Sequence, residues 1–199
     1  MNAMRLFTQF VFDFLGATPK PRRKARGQTA TVRKATSRRH SEAVRPSRSG
    51  SPRQLHYDAL VDAMQQRYDF RVRKWRTNLS GVAIRVERRD GTTEKLLESP
   101  YPTSPLRCAI FLHEVGHHAL GVGSITPRCL EEHAAWMWSL NTMREHGCLI
   151  DARVERRVER SMHYAVAKAV RRGLRRLPVE LLPYLPAHAR VQTQSMASP

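Results

Sequence analysis

Apolar residues recur along this chain with two periods, and each change of period marks a new element. Between Leu55 and Tyr68 they fall at Leu55, Ala59, Leu60, Ala63 and Met64 with polar residues between, the spacing of an amphipathic helix. The period then drops to two. Val82, Ile84 and Val86 alternate with polar neighbours, Asp90-Gly91 is a hairpin turn signal, and Thr92 to Leu97 is expected to return as the paired strand. A preceding strand from Phe70 to Trp75 completes a small antiparallel sheet, which Pro100, Pro102 and Pro105 separate from the next helical run.

Helical spacing resumes after Pro105. Ser104-Pro105 reads as an N-cap followed by a first-turn proline, and Leu120-Gly121 as a helix end with its left-handed glycine. Leu106, Ala109, Ile110, His113, His117 and Leu120 share one stripe of that helix, so both histidines are expected to face the interior. Gly116 is tolerable inside a helix where another backbone or a substrate must approach closely. Thr126-Pro127 again reads as cap plus first-turn proline, and Gly147 as the stop of a second helix running from Arg128 to His146. Its buried stripe is Glu132, Ala135, Trp136, Ser139 and Met143, with small residues that let the two helices approach. A basic helix over 151–176 carries its own apolar stripe at Val154, Val158, Ala165 and Ala169, and Leu177 to Pro186 reads as an extended strap.

Charge separates the ends of the chain from its middle. Of a net +18 over 199 residues, residues 17–53 hold a surplus of eleven and residues 153–176 a surplus of seven. The segment 17–53 has no aromatic residue and is expected to be a disordered basic arm. Both segments would attract nucleic acid or an anionic surface. The core between them is close to neutral, so basicity is expected to be appended to the candidate chemistry instead of built into it. Residues 1–16 place Leu6, Phe7, Phe10, Val11, Phe14 and Leu15 on one greasy face, an amphipathic helix suited to a membrane surface or a partner. It is too short to span a bilayer. The length then leaves one domain, residues 54–190, with a frayed tail over 191–199.

Several classes are excluded by what is missing. The chain has no internal repeat, no phosphate-cradling glycine loop and no nucleophile elbow, and Cys108, Cys129 and Cys148 form no Cys-x-x-Cys pair. Neither a disulfide framework nor a thiolate zinc site is indicated. A cytoplasmic setting is expected, with organellar import as the alternative because residues following the first sixteen are rich in Arg and Ser.

One stretch names a reaction. His113-Glu114-Val115-Gly116-His117 sets two imidazoles four residues apart, where one helical face brings both to a single metal ion. Glu114 lies about 100° further round, placed to act as general base on a metal-bound water. A catalytic zinc usually takes a third protein ligand, and the next helix offers Glu132, with Glu131 or His133 as alternatives. His118 lies off the metal-facing stripe.

The run from His113 to Leu120, a glycine-containing turn and an alanine- and tryptophan-bearing helix opening with Glu131-Glu132 resembles the ImmA/IrrE-type metallopeptidases, a branch of the glutamate-zincins. The likeness covers about residues 54 to 147. It implies a compact α+β zincin fold, with active-site helices packed on a small antiparallel sheet. It also implies Zn2+ held by His113, His117 and Glu132, Glu114 as base, and proteolysis of a specific protein partner. Substrate binding by strand addition at the sheet edge belongs to the same expectation. A SprT-like zincin is the second resemblance, and in it His133 would be the third ligand. The contrasting expectation is a nucleic-acid-binding protein in which the zincin core is inactive or structural and the basic arm does the binding.

Overall fold

The computed structural model describes residues 6–7, 43–45 and 50–185. These form an α+β structure in which helices cover one face of a small mixed sheet. Helix α1 spans Pro52–Tyr68, capped by Ser51, whose side chain accepts from the Gln54 amide. Its buried face is Tyr57, Leu60, Val61 and Met64. That face is rotated from the expected stripe: Leu55, Ala59 and Ala63 are not among its buried residues, because burying Tyr57 and Val61 removes more apolar area from water than burying two alanines.

Three strands come next, β2 (Arg71–Arg76), β3 (Val82–Glu87) and β4 (Thr93–Pro100). β3 and β4 are the expected hairpin, pairing from Val82 with Glu98 to Glu87 with Thr93 around a turn in which Gly91 takes φ 81°. The expectation of a purely antiparallel sheet is not met. β4 lies at the centre and β2 pairs with it in parallel, from Arg71 with Leu96 to Arg76 with Pro100. The reason lies in β4, which buries every residue from Leu96 to Pro100 and so takes the inner position. Its Glu98 also draws β2 alongside, accepting from Arg73 Nε at 2.6 Å and from Arg76 Nε at 3.0 Å. Burial alone would raise the Glu98 carboxyl, but Arg76 and Arg73 outweigh it and hold it below the usual carboxylate range.

A further two-residue strand, β1 (Leu6–Phe7), pairs antiparallel with Val86 and Arg85 at the β3 edge. These residues were expected in an amphipathic helix over 1–16. Pairing satisfies main-chain groups that an open sheet edge leaves exposed, which a helix would not do. The rest of that segment lies outside the described residues, as does most of the arm 17–53. What is described of the arm is docked: the Ala43 amide donates to the Val72 carbonyl at 2.8 Å, and Arg45 is paired with Asp62 of α1.

Helix α2 runs Pro105–Leu120 from its Ser104 cap and α3 runs Arg128–Glu145. Pro127 itself is the N-cap of α3, without a side-chain cap bond, in place of the expected Thr126. Helix α4 (Ala152–Arg171) is capped by Asp151 and buries Val154, Val158, Met162, Ala165 and Val166. The final described element is a 3-10 helix, η1 (Val179–Tyr184), in place of an extended strap. Val72 and Leu97 on the inner sheet face join Phe111, Leu112, Val154, Met162 and Leu181 in one core, while Val82, Ile84 and Leu96 cluster separately. No helix among the described residues is long and apolar enough to cross a membrane.

The contact that positions the site is the one between α2 and α3. Ser139 Oγ donates to the Ala109 carbonyl at 2.8 Å, a bond that crosses between the helices. A Cβ on Gly116 would stand 3.1 Å from the Ala135 carbonyl oxygen and 3.1 Å from Trp138 Cε3. The Ala135 backbone belongs to a helix and cannot give way alone. Gly116→Ala is therefore expected to lower stability by about 1–2 kcal/mol in urea denaturation, despite a helix-propensity gain of about 1 kcal/mol. An unchanged or higher midpoint would show that the helices separate at no cost.

Candidate metal centre

Helix α2 carries His113 and His117 one turn apart, with ring centroids 4.8 Å from each other. Helix α3 brings the third group. Glu132 Oε2 lies 3.3 Å from His113 Nε2 and 3.7 Å from His117 Nε2. One ligand atom from each of the three residues falls within 4.8 Å of the others, and all three side chains are buried. Bonds of about 2.0–2.1 Å in a tetrahedral zinc site separate neighbouring ligand atoms by about 3.3–3.4 Å, so the Glu132 oxygen already stands near that distance from both imidazoles, and a spread of up to 4.8 Å among the three atoms would have to contract around an ion. Two imidazoles and a carboxylate also form a donor set suited to a divalent first-row metal.

The orientation of each ring has a cause. His113 is stacked on Trp136 at 4.1 Å between centroids. Burial pulls its imidazole down to about 4, so the ring is neutral, and its Nδ1 is buried without a hydrogen-bond partner among the described residues. His117 is held from its far side, where Nδ1 lies 3.1 Å from Glu131 Oε1. The same Glu131 oxygen accepts from the Gly123 amide at 3.0 Å, and Oε2 accepts from Arg128 Nη1 at 3.1 Å. A carboxylate bonded to the outer nitrogen of a ligand histidine fixes the ring and leaves Nε2 facing inward. Burial alone would lower the His117 imidazole, but Glu131 and Glu132 outweigh it and raise it to about 9. Burial would likewise raise the Glu132 carboxyl, yet His113 and His117 hold it well below the usual range. Arg128 completes the set, with Nη2 2.8 Å from Glu132 Oε1.

Glu114 occupies the adjoining space. It is buried, and desolvation lifts its carboxyl to about 7. Gly81, just before β3, makes room for it: a Cβ there would lie 2.4 Å from Glu114 Cγ. Gly81, His113, Glu114, Trp136, Arg157 and Ser161 border a recess of about 10 Å3, close to the space that one water needs. Arg157 reaches this recess from α4. Its Nη2 donates to the Leu79 carbonyl at 2.9 Å, while its Nε is buried without a partner among the described residues.

Of the residues singled out from the sequence, the structure brings together His113, Glu114, His117 and Glu132. The two alternatives for the third ligand stand outside that cluster. Glu131 stands on the Nδ1 side of His117, away from the three converging atoms, and it is neither a member of that cluster nor a mere helix-end charge, being only 1% exposed. His133 points elsewhere, half-buried with its ring 6.2 Å from that of Tyr184 in η1. His118 is structural, with Nε2 3.0 Å from the Leu96 carbonyl oxygen and its ring stacked on Phe70. The sequence reading missed the partners of Glu131 and the approach of Arg157. Arg128 was visible, three and four residues before the two glutamates. Gly81 and Arg157 had no local signal, because their proximity to α2 arises only from tertiary packing. No protein-family model, curated protein or solved structure matches this chain.

Removing the Glu131 carboxylate leaves a buried imidazole and a backbone amide without their acceptor. Glu131→Ala is expected to lower stability by about 2–4 kcal/mol, and Glu131→Gln by less because an acceptor oxygen remains. Urea midpoints of the two variants check the order; equal and small losses would mean that Glu131 does not hold His117.

Proposed function

We propose that this chain is a zinc-dependent metallopeptidase that cleaves a specific protein partner. His113, His117 and Glu132 are its metal ligands and Glu114 its general base. The observation that carries the reading is the convergence of two imidazole nitrogens and one carboxylate oxygen from α2 and α3, with a second buried carboxylate beside them. The likeness of these helices to the ImmA/IrrE-type glutamate-zincins supports peptide-bond chemistry over other hydrolysis.

A bound Zn2+ supplies Lewis acidity, lowering the pKa of water from about 15.7 to about 7 and polarising a carbonyl. The chain's own groups do the rest. Glu114 takes the proton of the attacking water and returns it to the leaving amine. Arg157, whose Nε is unpaired at the same recess, donates to the oxygen that gains charge on the scissile carbonyl. Trp136 and Ile110 keep the recess apolar on one side, which strengthens both interactions. The strand β3 begins beside Glu114 and offers main-chain groups to an extended peptide, with Leu6–Phe7 already paired at its far end.

Metal analysis and peptide cleavage test this together. The purified protein is expected to hold about one zinc per chain. His113→Ala, His117→Ala and Glu132→Ala should each lose it, while His133→Ala keeps it. Glu114→Gln should retain metal and fold yet lose cleavage of a fluorogenic peptide library. Full activity in Glu114→Gln would remove the mechanism, and metal kept in Glu132→Ala but lost in His133→Ala, as in His113→Ala and His117→Ala, would make the SprT-like ligand set correct.

A second reading is favoured by α4. Arg153, Arg156, Arg160 and Arg171 are exposed on this helix, a basic surface suited to a polyanion. On this reading the protein binds nucleic acid, through that surface and the arm 17–53, whether or not the core is active. Binding to duplex DNA should then weaken steeply with salt, by a log–log slope of roughly −0.9 per phosphate contact, and should survive chelation. Deletion of residues 17–53 combined with charge reversal at Arg153, Arg156 and Arg160 should abolish it. Binding unchanged by both alterations would remove the polyanion reading.

A further inference from the structure

At the far end of the α2–α3 pair from the glycine turn, two thiols meet. Cys108 Sγ and Cys148 Sγ lie 4.0 Å apart, and Cys148 Sγ lies 3.5 Å from His56 Nε2. Cys108 sits in the first turn of α2, with its amide bonded to the Ser104 carbonyl at 2.9 Å. Cys148 comes just after Gly147, whose φ of 62° ends α3, and so belongs to a loop. His56 is exposed on α1, Cys148 is 8% exposed and Cys108 is fully enclosed. Cys148 is therefore the less enclosed of the pair, and its sulfur touches a histidine on the exposed side of α1.

This is an unusual setting for core cysteines, which ordinarily are isolated in apolar surroundings and inert. Contact with Cys108 stabilises the Cys148 thiolate, with further help from His56, and brings its thiol down to about 6. The contact and burial push Cys108 the opposite way, well above its ordinary value. The two thiols are thus inequivalent by position and by environment.

We infer that Cys108 and Cys148 form a redox-active dithiol that reacts with hydroperoxides, Cys148 as the attacking thiolate and Cys108 as the thiol that resolves it to a disulfide. Cys148 gives its proton to His56, and its sulfur attacks the terminal peroxide oxygen. The O–O bond breaks, and the departing hydroxide or alkoxide leaves as water or alcohol with the proton from His56. Cys148 is now a sulfenic acid. Cys108 sulfur then attacks Cys148 sulfur; the S–S bond forms, the S–O bond breaks, and hydroxide leaves with the Cys108 proton as a second water. Two thiols have lost two electrons and two protons, and one hydrogen peroxide has become two waters. The sulfurs must close from 4.0 Å to about 2.05 Å, a movement that the loop position of Cys148 provides. The resulting bridge ties the start of α2 to the end of α3. None of this depends on a metal at the other end of the pair.

The test uses the reduced full-length protein and hydrogen peroxide, with free thiols counted after denaturation and peptides mapped without reduction. The expected result is a fall from three thiols to one, a Cys108–Cys148 cross-linked peptide, an untouched Cys129, and full reversal by dithiothreitol. Cys108→Ser should stop at a Cys148 sulfenic acid that dimedone traps. Cys148→Ser should keep both remaining thiols. His56→Ala should slow thiol loss by roughly tenfold. Three thiols persisting at doses that oxidise free glutathione would overturn the inference, and so would oxidation that begins at Cys129. The wild-type peptide map decides the matter even if a serine variant fails to fold.

Discussion

The candidate centre depends on how closely α2 can lie against α3. Two histidines on one helix are fixed relative to each other by the helix itself, but Glu132 is placed only by the contact between helices. That contact is made of an absent side chain at Gly116, a small one at Ala135, and the Ser139 hydroxyl bonded to the Ala109 carbonyl. A larger group anywhere on this seam would move Glu132 Oε2 away from positions 3.3 and 3.7 Å from the two imidazole nitrogens. The rest of the fold supports the seam. The sheet backs α2 through His118 on the Leu96 carbonyl, and α4 packs against α3 and α2, burying Val154, Val158 and Met162 in the common core.

The seam also buries charge, which stability alone would not favour. Glu131 is 1% exposed and Glu132 6%, and both are drawn below the ordinary carboxylate range, so both are ionised. They are balanced by the Arg128 guanidinium and the His117 imidazolium in a chain of contacts from 2.8 to 3.7 Å. Removing ions from water costs several kcal/mol each, and their attraction often does no more than offset that cost. Leucine and alanine at these four positions would cost less. Burying polar groups in a cluster where both imidazole Nε2 atoms face one carboxylate oxygen is intelligible when the cluster has a ligand to hold.

What could be read from the sequence was whatever is local to one element. Ser104-Pro105, Gly121 and Gly147 marked helix ends within a residue or two, and the His113–His117 spacing and the Glu132 stripe each came from helical geometry. Asp90-Gly91 likewise announced its hairpin. What could not be read was every relation set between elements. The parallel partnership of β2 with β4 depends on β4 taking the central position. The choice between Glu131, Glu132 and His133 depends on a rotation of α3 about its axis, about 100° per residue, which only the packed seam decides. The exposed Leu55 shows the same limit on α1, where an equally plausible stripe lay one residue away.

Charge gives the sharpest case. The surplus in residues 153–176 reads as an appendage, and for Arg153, Arg156 and Arg160 it is one, since all three face solvent. Arg157 differs from its neighbours by a single step of the helix. That step turns it from the exposed surface towards the boundary of the buried stripe, and from there its guanidinium reaches the recess beside His113 and Glu114. Its buried Nε lacks an acceptor, and burial, with Arg160 nearby, lowers its pKa while remaining far from deprotonation. A permanent cation with an unused donor is costly to keep there and becomes favourable only when negative charge arrives. The basic helix is therefore part of the site that it was expected merely to flank, and the arginine that makes it so is identified by its angle on the helix and not by its place in a charge run.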